Sequence, residues 1–349
     1  MDDKAIKTAP DTPSESHSPL ASSDTSKKKK TRLIILVLTA LLILGMALVY
    51  VYWYQNPNKV VSDALLNAVS AQSATYKGQM TMVGSSKTVT TFTGGLAKSG
   101  ATVNADVVFD SAGKKYTLGA NGVLDDKNDL YVKARDIDSL VDNYRRVIPA
   151  DSQKLFDQII AKIDDKWIKI SSQDLKSYSE NVATTQKCSA DAAKKIQNDS
   201  AARSELISIY KKHPFIAIDK SLGVKDGSLG YALSVNHETS RAFSREYKNS
   251  AIYKTLVECD SSFTLNDDDL LQASNSTADG KTQLQVWVSQ WGHTITKITA
   301  NKEARGQMSN ISIEPKFNQP VSVVPPKDAT TIDQLQKDVQ QLLTPAQQS

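Results

Sequence analysis

The sequence predicts an α+β protein, an antiparallel meander packed on helices and preceded by one transmembrane helix. Three observations predict it. Residues 33–54 run without a charged side chain; residues 76–118 alternate apolar and polar positions; and apolar residues recur at helical spacing just before that alternation. With 349 residues there is room for one large domain or two ordinary ones. The 15 glycines, 2 cysteines and 40% hydrophobic content exclude collagen, a small disulfide scaffold and a wholly disordered chain. A net charge of +4 is too balanced to indicate a nucleic-acid binder.

The first 32 residues are rich in Ser, Thr, Pro, Asp and Lys and are expected to form a disordered tail, since they cannot bury enough apolar surface to offset ordering entropy. The 22 residues from Leu33 to Tyr54 reach about 33 Å as a helix, which matches a hydrocarbon core of about 30 Å. Lys27 to Lys30 and Arg32 precede this run, and Tyr50, Tyr52, Trp53 and Tyr54 close it. Basic residues stay cytoplasmic and amphipathic aromatics settle among the headgroups, so the tail is placed inside and the rest of the chain outside. The exit Tyr-Gln-Asn-Pro lacks a small-residue cleavage site, which favours an uncleaved anchor in the cell membrane.

Asn56-Pro57-Asn58 breaks the membrane helix, and Val60, Val61, Ala64, Leu65, Ala68 and Val69 form the stripe of a second helix. Tyr76, Gly78, Met80 and Met82 then share one strand face, as do Val103, Ala105, Val107 and Phe109; shorter strands surround Leu118 and Leu130 to Val132. Gly94-Gly95, Ser111-Ala112-Gly113 and Asn121-Gly122 read as hairpin or bulge material, giving about five strands. From Asp136 the period becomes helical through Ile163, and Lys166 to Ile170 returns to a strand. A polar stretch, 171–203, leads into a helix near Leu206 to Tyr210; strands at 214–218 and 231–235 and a helix at 243–256 follow. Strands near 284–288, 295–298 and 308–313 come next. Pro315, Pro320, Pro325 and Pro326 are expected to end regular pairing, and Ile332, Leu335, Val339 and Leu342 mark a last helix. The expected domains are a tail at 1–32, an anchor at 33–54, an outer domain at 55–330 with a helical insertion at about 172–259, and a C-terminal helix and tail at 331–349.

Cys188 and Cys259 both lie outside the membrane on this reading, and their even number in an oxidising compartment favours a disulfide. Free buried thiols or one reactive thiol are the alternatives. Thr255 to Cys259 is similar to the Thr-Leu-x-Thr-Cys signature of sortases, with Glu258 in place of threonine and His237 and Arg305 as the remaining polar partners. A carboxylate beside the sulfur raises the thiol pKa, the wrong direction for a nucleophile. His213, His237 and His293 lack zinc spacing, Asp267 to Asp269 read as a helix cap, and Asp125 to Asp129 as a turn. No cofactor motif occurs, so a non-catalytic role is expected. Met80, Val103, Val107, Phe109, Leu118, Val286 and Trp287 are the residues expected to line an apolar cavity or core. Trp287 falls out of phase with Val286 and Val288, on the other side of its strand.

The helix at 59–72, the Ser73-x-x-Tyr76-x-Gly78 entry into the meander, the Lys166-Trp167-Ile168-Lys169-Ile170 strand and Val323-Val324-Pro325-Pro326-Lys327-Asp328-Ala329 resemble the LolA/LppX-like group of bacterial envelope proteins. The resemblance implies a strongly curved antiparallel sheet, a half-barrel closed by helices, with a lipid or lipoprotein as ligand. An uncleaved anchor and the polar stretch between the cysteines depart from that pattern. The expected function is therefore a tethered binding module for a lipid or lipid-linked envelope component. A structural or protein-interaction domain of the envelope is the other reading. The expected partners are the membrane and that ligand, with no nucleic acid.

Overall fold

A computed structural model describes residues 39, 42, 43, 46 and 53–343, except 112, 146–147, 175–179, 262, 267–279 and 305–306. The expected tail, most of the expected anchor, the acidic run Asp267 to Asp269, Arg305 and residues 344–349 lie outside the described residues. Thr39, Leu42, Ile43 and Met46 are helical and exposed. Among the described residues no helix is long and apolar enough to cross a membrane. The chain divides after Tyr54, and residues 55–349 form one unit.

That unit is built on an open, curved, mixed sheet of twelve strands. Helix α1 (Pro57–Ser70) precedes five antiparallel strands: β1 (Ala74–Val83), β2 (Lys87–Ala97), β3 (Gly100–Ser111), β4 (Lys114–Leu124) and β5 (Leu130–Arg135). Helices α2 (Ile137–Arg145) and α3 (Ala150–Ile163) lead to β6 (Ile168–Ile170). Helices α4 (Glu180–Asn198) and α5 (Ser200–Lys212) follow, then the hairpin β7 (Ile216–Lys225) and β8 (Ser228–Val235), and helices α6 (His237–Tyr247) and α7 (Ala251–Cys259). Strands β9 (Gly280–Ser289), β10 (Ile295–Ala304) and β11 (Gln307–Phe317) return the chain to β1, against which β11 pairs antiparallel. After Phe317 the chain crosses to the far edge, where β12 (Thr330–Thr331) pairs parallel with β6 and α8 (Ile332–Leu343) follows.

Three expectations change. Gly94-Gly95 and Asn121-Gly122 lie inside β2 and β4, not in turns. A Cβ on Gly94 would sit 2.4 Å from the Tyr76 hydroxyl oxygen, and one on Gly122 would sit 2.8 Å from Val103. These glycines make room for large neighbours lying flat on the sheet. Pro315 belongs to β11, opposite Tyr76. The β10 ladder stops at Ile298–Ile313, so Pro315 lies beyond the reach of β10, where a missing N–H is tolerated. The segment 172–259, expected as a helical insertion with strands at 214–218 and 231–235, is not set apart from the sheet: it supplies helices α4 to α7, and its strands β7 and β8 extend the sheet. The Asp125 turn is as expected: its carboxylate accepts from the Lys127 and Asp129 amides at 2.9 Å.

The core sits where α1 crosses the sheet. Asn56 starts that helix by accepting from the Asn58 and Lys59 amides, with Pro57 in the first turn. Val60, Val61 and Ala64 then pack on Tyr231, Val286, Val288 and Ile295. The Asp63 carboxylate fixes the helix to the β9–β10 hairpin, 2.7 Å from Lys59 Nζ and 2.9 Å from His293 Nδ1. Burial works to raise the Asp63 pKa, but hydrogen bonds and charges from Lys59 and His293 hold it below its ordinary value of 3.8. A carboxyl depressed in the folded state contributes stability above its unfolded pKa and loses it as pH falls through the folded one. Asp63→Asn is therefore expected to lower the urea midpoint at pH 7. The difference from wild type should vanish once the pH is well below 3.8.

A second helical layer holds α4, α5 and α7 together through Ala192, Ala202 and Ile252, with Ile196, Leu206 and Leu256 around them. The Cys188–Cys259 disulfide joins α4 to the end of α7, with Cα atoms 5.5 Å apart. Ser250 caps α7 by accepting from the Tyr253 amide at 3.2 Å, and it is fully buried. Ser250→Ala is expected to cost about 1 kcal/mol, read as a lower denaturation midpoint. Ser250→Asp would test whether the cap or the burial matters more.

Candidate functional site

In an antiparallel sheet, directly opposed residues point to the same face. The register therefore places Ile311, Met80, Thr90, Val107 and Leu118 in one row, and Pro315, Tyr76, Gly94, Val103 and Gly122 in another. Met82, Thr88, Phe109 and Tyr116 form a third, while Val286, Ile298, Ile313 and Gly78 extend the same face across β9 to β1. Thus Met80, Val103, Val107, Phe109, Leu118 and Val286 share one apolar face. Trp287 is on the other, its ring 2.7 Å from where a Cβ on Gly230 would lie. At β9 the apolar face is closed by α1. In the middle of the sheet it stays partly open, with Met82 43%, Leu96 45% and Val103 39% exposed.

The opposite face is polar over the same strands. Glu314 lies 2.8 Å from Lys77 and 3.6 Å from Lys297, and Arg135 lies 2.8 Å from Asp106. The Lys77 hydrogen bond is the main cause that holds the Glu314 carboxyl below its usual range. A shallow hollow of about 390 Å³ lies among these side chains.

An apolar groove lies elsewhere, between α1, α5, α6 and the start of β7. Leu65, Leu66 and Val69 form one wall, Leu206, Ile207 and Tyr210 a second, and Phe215, Ile216 and Phe243 the floor. The groove holds about 270 Å³ and its lining is entirely apolar. The helices reach these positions for local reasons. Asp199 caps α5 by accepting from the Ala201 and Ala202 amides, and Asn236 caps α6 through the Thr239 amide. Between them, His213 ends α5 and lies 2.8 Å from Glu246 of α6. Aromatic rings brace the floor: Tyr210 meets Phe215 edge-on at 5.5 Å, Phe215 meets Phe243 at 4.7 Å, and Phe243 stacks on Tyr247 at 5.7 Å. Burial pushes the Tyr210 hydroxyl up to about 12, so it stays neutral at physiological pH.

Such a lining can hold a hydrocarbon chain. It offers no group that would titrate near neutrality for acid–base work. Among the described residues no three His, Cys, Asp or Glu side chains are gathered to hold a metal ion. Cys259, the cysteine of the sortase-like stretch, is bonded to Cys188, so its sulfur is not a free thiolate.

None of the seven residues expected to line a cavity borders this groove. Its second wall and its floor come from α5, α6 and the start of β7, whose sequences read as structure without a site. One signal was present in α1. Val60, Val61, Ala64, Leu65, Ala68 and Val69, together with Leu66, cover an arc wider than one sheet contact needs, and a wide arc requires two partners. Compared with known proteins, the chain matches no family model and no curated protein.

Proposed function

We propose that this chain is a single-pass, membrane-anchored protein of the bacterial cell envelope, with its outer unit a non-catalytic module that binds the acyl part of a lipid or lipid-linked component. The groove of about 270 Å³ with a wholly apolar lining carries the reading. It falls just below the range for ligand pockets, about 300–1,000 Å³, and suits the end of one chain better than a whole lipid. The apolar face of the middle strands, partly open at Met82, Leu96 and Val103, supports a longer path for the same ligand. The curved sheet is on this reading a half-barrel of the LolA/LppX-like kind. The disulfide supports a location outside the cytoplasm.

A second reading, a protein-interaction domain without a small-molecule ligand, is favoured by one other observation. At the turn ends of β1 and β11, Val83 pairs with Met308, and both are exposed beside Met82. Adaptable methionine surfaces suit changing protein partners.

The test uses cells that express the full chain and are fed a diazirine-bearing fatty acid, followed by irradiation and peptide mapping. Labelled peptides from 33–54 report the anchor. Labels on α5 or α6 in addition support an acyl ligand in the groove. Labels on the anchor alone would sink the lipid-module reading and leave the interaction domain.

A further inference from the structure

The anchored reading leaves open which end of the outer unit meets the lipid, and the β9–β10 hairpin answers it. Gln55 is the first residue after the expected span, and its side-chain amide donates to the Gln290 carbonyl at 2.8 Å. The Gln290 amide in turn donates to the Gly227 carbonyl in the β7–β8 turn at 3.2 Å. Two hairpin tips are thereby held beside the first residue of the unit.

The β9–β10 tip is tightly fixed. The Asn67 side chain donates to the Gly292 and His293 carbonyls at 3.1 and 3.0 Å, and the Ser289 hydroxyl donates to the Trp291 carbonyl at 2.8 Å. Gly292 and His293 take positive φ values of 80° and 43°, which turn the chain sharply. On this braced loop Trp291 is 73% exposed. On the neighbouring tip Val224 is 60% exposed, and Lys225 beside it is exposed too. Each residue of chain spans at most about 3.6 Å, so the backbone of Trp291, next to the Gln290 that is tied to Gln55, stays within roughly 15 Å of the point where the span ends. The headgroup layer adds about 5–8 Å on each side of the core, so this tether holds the tip at that layer or just above it, within reach of a tryptophan side chain.

We infer that the tips of the β7–β8 and β9–β10 hairpins rest in the headgroup layer of the membrane that holds the anchor, with Trp291 and Val224 inserted and Lys225 among the phosphates. The inference rests on the anchored reading and deepens it. Tryptophan favours this layer because its ring is apolar and its N–H polar. Lysine buries its stem while its ammonium reaches the anionic surface. The strands' other ends, with the turn at 84–86, then point away from the bilayer.

The experiment reconstitutes the full chain into phosphatidylcholine–phosphatidylglycerol vesicles with or without acyl chains brominated near the headgroup. Subtracting the emission of Trp291→Phe from wild type isolates the Trp291 signal; Trp53→Phe isolates the Trp53 signal. Both are expected to fall about twofold in the brominated vesicles, as interfacial tryptophans do when a quencher reaches their depth. A quenched Trp53 signal with an unchanged Trp291 signal overturns the inference and leaves the anchor standing. Two unchanged signals overturn the anchor, and the inference with it. A polarity-sensitive dye on Val224→Cys gives an independent reading: a blue-shifted emission in vesicles supports the placement, and a water-like emission overturns it.

Discussion

Replacing Cys188 and Cys259 together by alanine is expected to lower the stability of the unit at 55–349 by about 4 kcal/mol, because a closure across this many residues removes much freedom from the unfolded chain. The two cysteines are separated by 71 positions, and the loop they close contains α5, β7, β8 and α6. Native strain and residual structure in the unfolded chain reduce such figures, so urea denaturation should give a loss between about 2 and 4 kcal/mol. Alanine suits Cys188, which is 4% exposed, since a buried polar substitute would add a desolvation cost. The loss should also be uneven. The small cluster of Ala192, Ala202 and Ile252 is the other main tie between α4, α5 and α7, so amide exchange should accelerate there first. Strands β1 to β3 depend on their own ladders and should change less. Equal acceleration throughout, or no loss of stability, would mean that the helical layer is held by packing alone.

What the sequence disclosed follows from which patterns are local. The stripe of α1, the alternation of β1 and β3 and the phase of Trp287 against Val286 and Val288 are one-dimensional, and each has its counterpart in the fold. Strand β2 was harder. Lys87 to Ala97 contains four threonines and two adjacent glycines, so its apolar rhythm is weak, although β-branched threonine suits a strand. The mid-strand glycines misled for a clear reason, since the side chains they accommodate, those of Tyr76, Val103 and Val321, belong to other strands and to a distant segment. Helix α4 lies in the polar stretch of the expected helical insertion, where no apolar period marks it. Its buried face is Cys188 and Ala192 with Ile196 beside them, a four-residue step carried by small side chains. The groove was the least legible feature, because its nine lining residues come from four elements between positions 65 and 243. No local period encodes a space between elements. The residues that did attract notice, Met80, Val103, Val107, Phe109 and Leu118, report the sheet's apolar face, which is a local property.

Filling the groove should separate a ligand site from a packing fault. Ile207→Trp places a large ring into the space of about 270 Å³ between α1, α5 and α6, while changing no charge. If the groove receives an acyl chain, photolabelling of α5 and α6 is expected to fall about tenfold or more, the equivalent of about 1.4 kcal/mol in binding. The urea midpoint should hold or rise, because filling an apolar void adds contacts and removes surface from water. A fault in packing would show the second effect without any labelling to lose. Val103→Asp asks the complementary question on the open sheet face, at a side chain 39% exposed and therefore tolerant of a charge. Should that substitution abolish labelling while Ile207→Trp leaves it intact, the ligand lies on the sheet and the groove is a by-product of two helices meeting a strand. Loss with both variants would make the groove and the sheet face one continuous path. In that case the wide apolar arc of α1 has a direct functional explanation, since its Val60, Val61 and Ala64 side closes one end of the sheet face while its Leu65, Leu66 and Val69 side lines the groove.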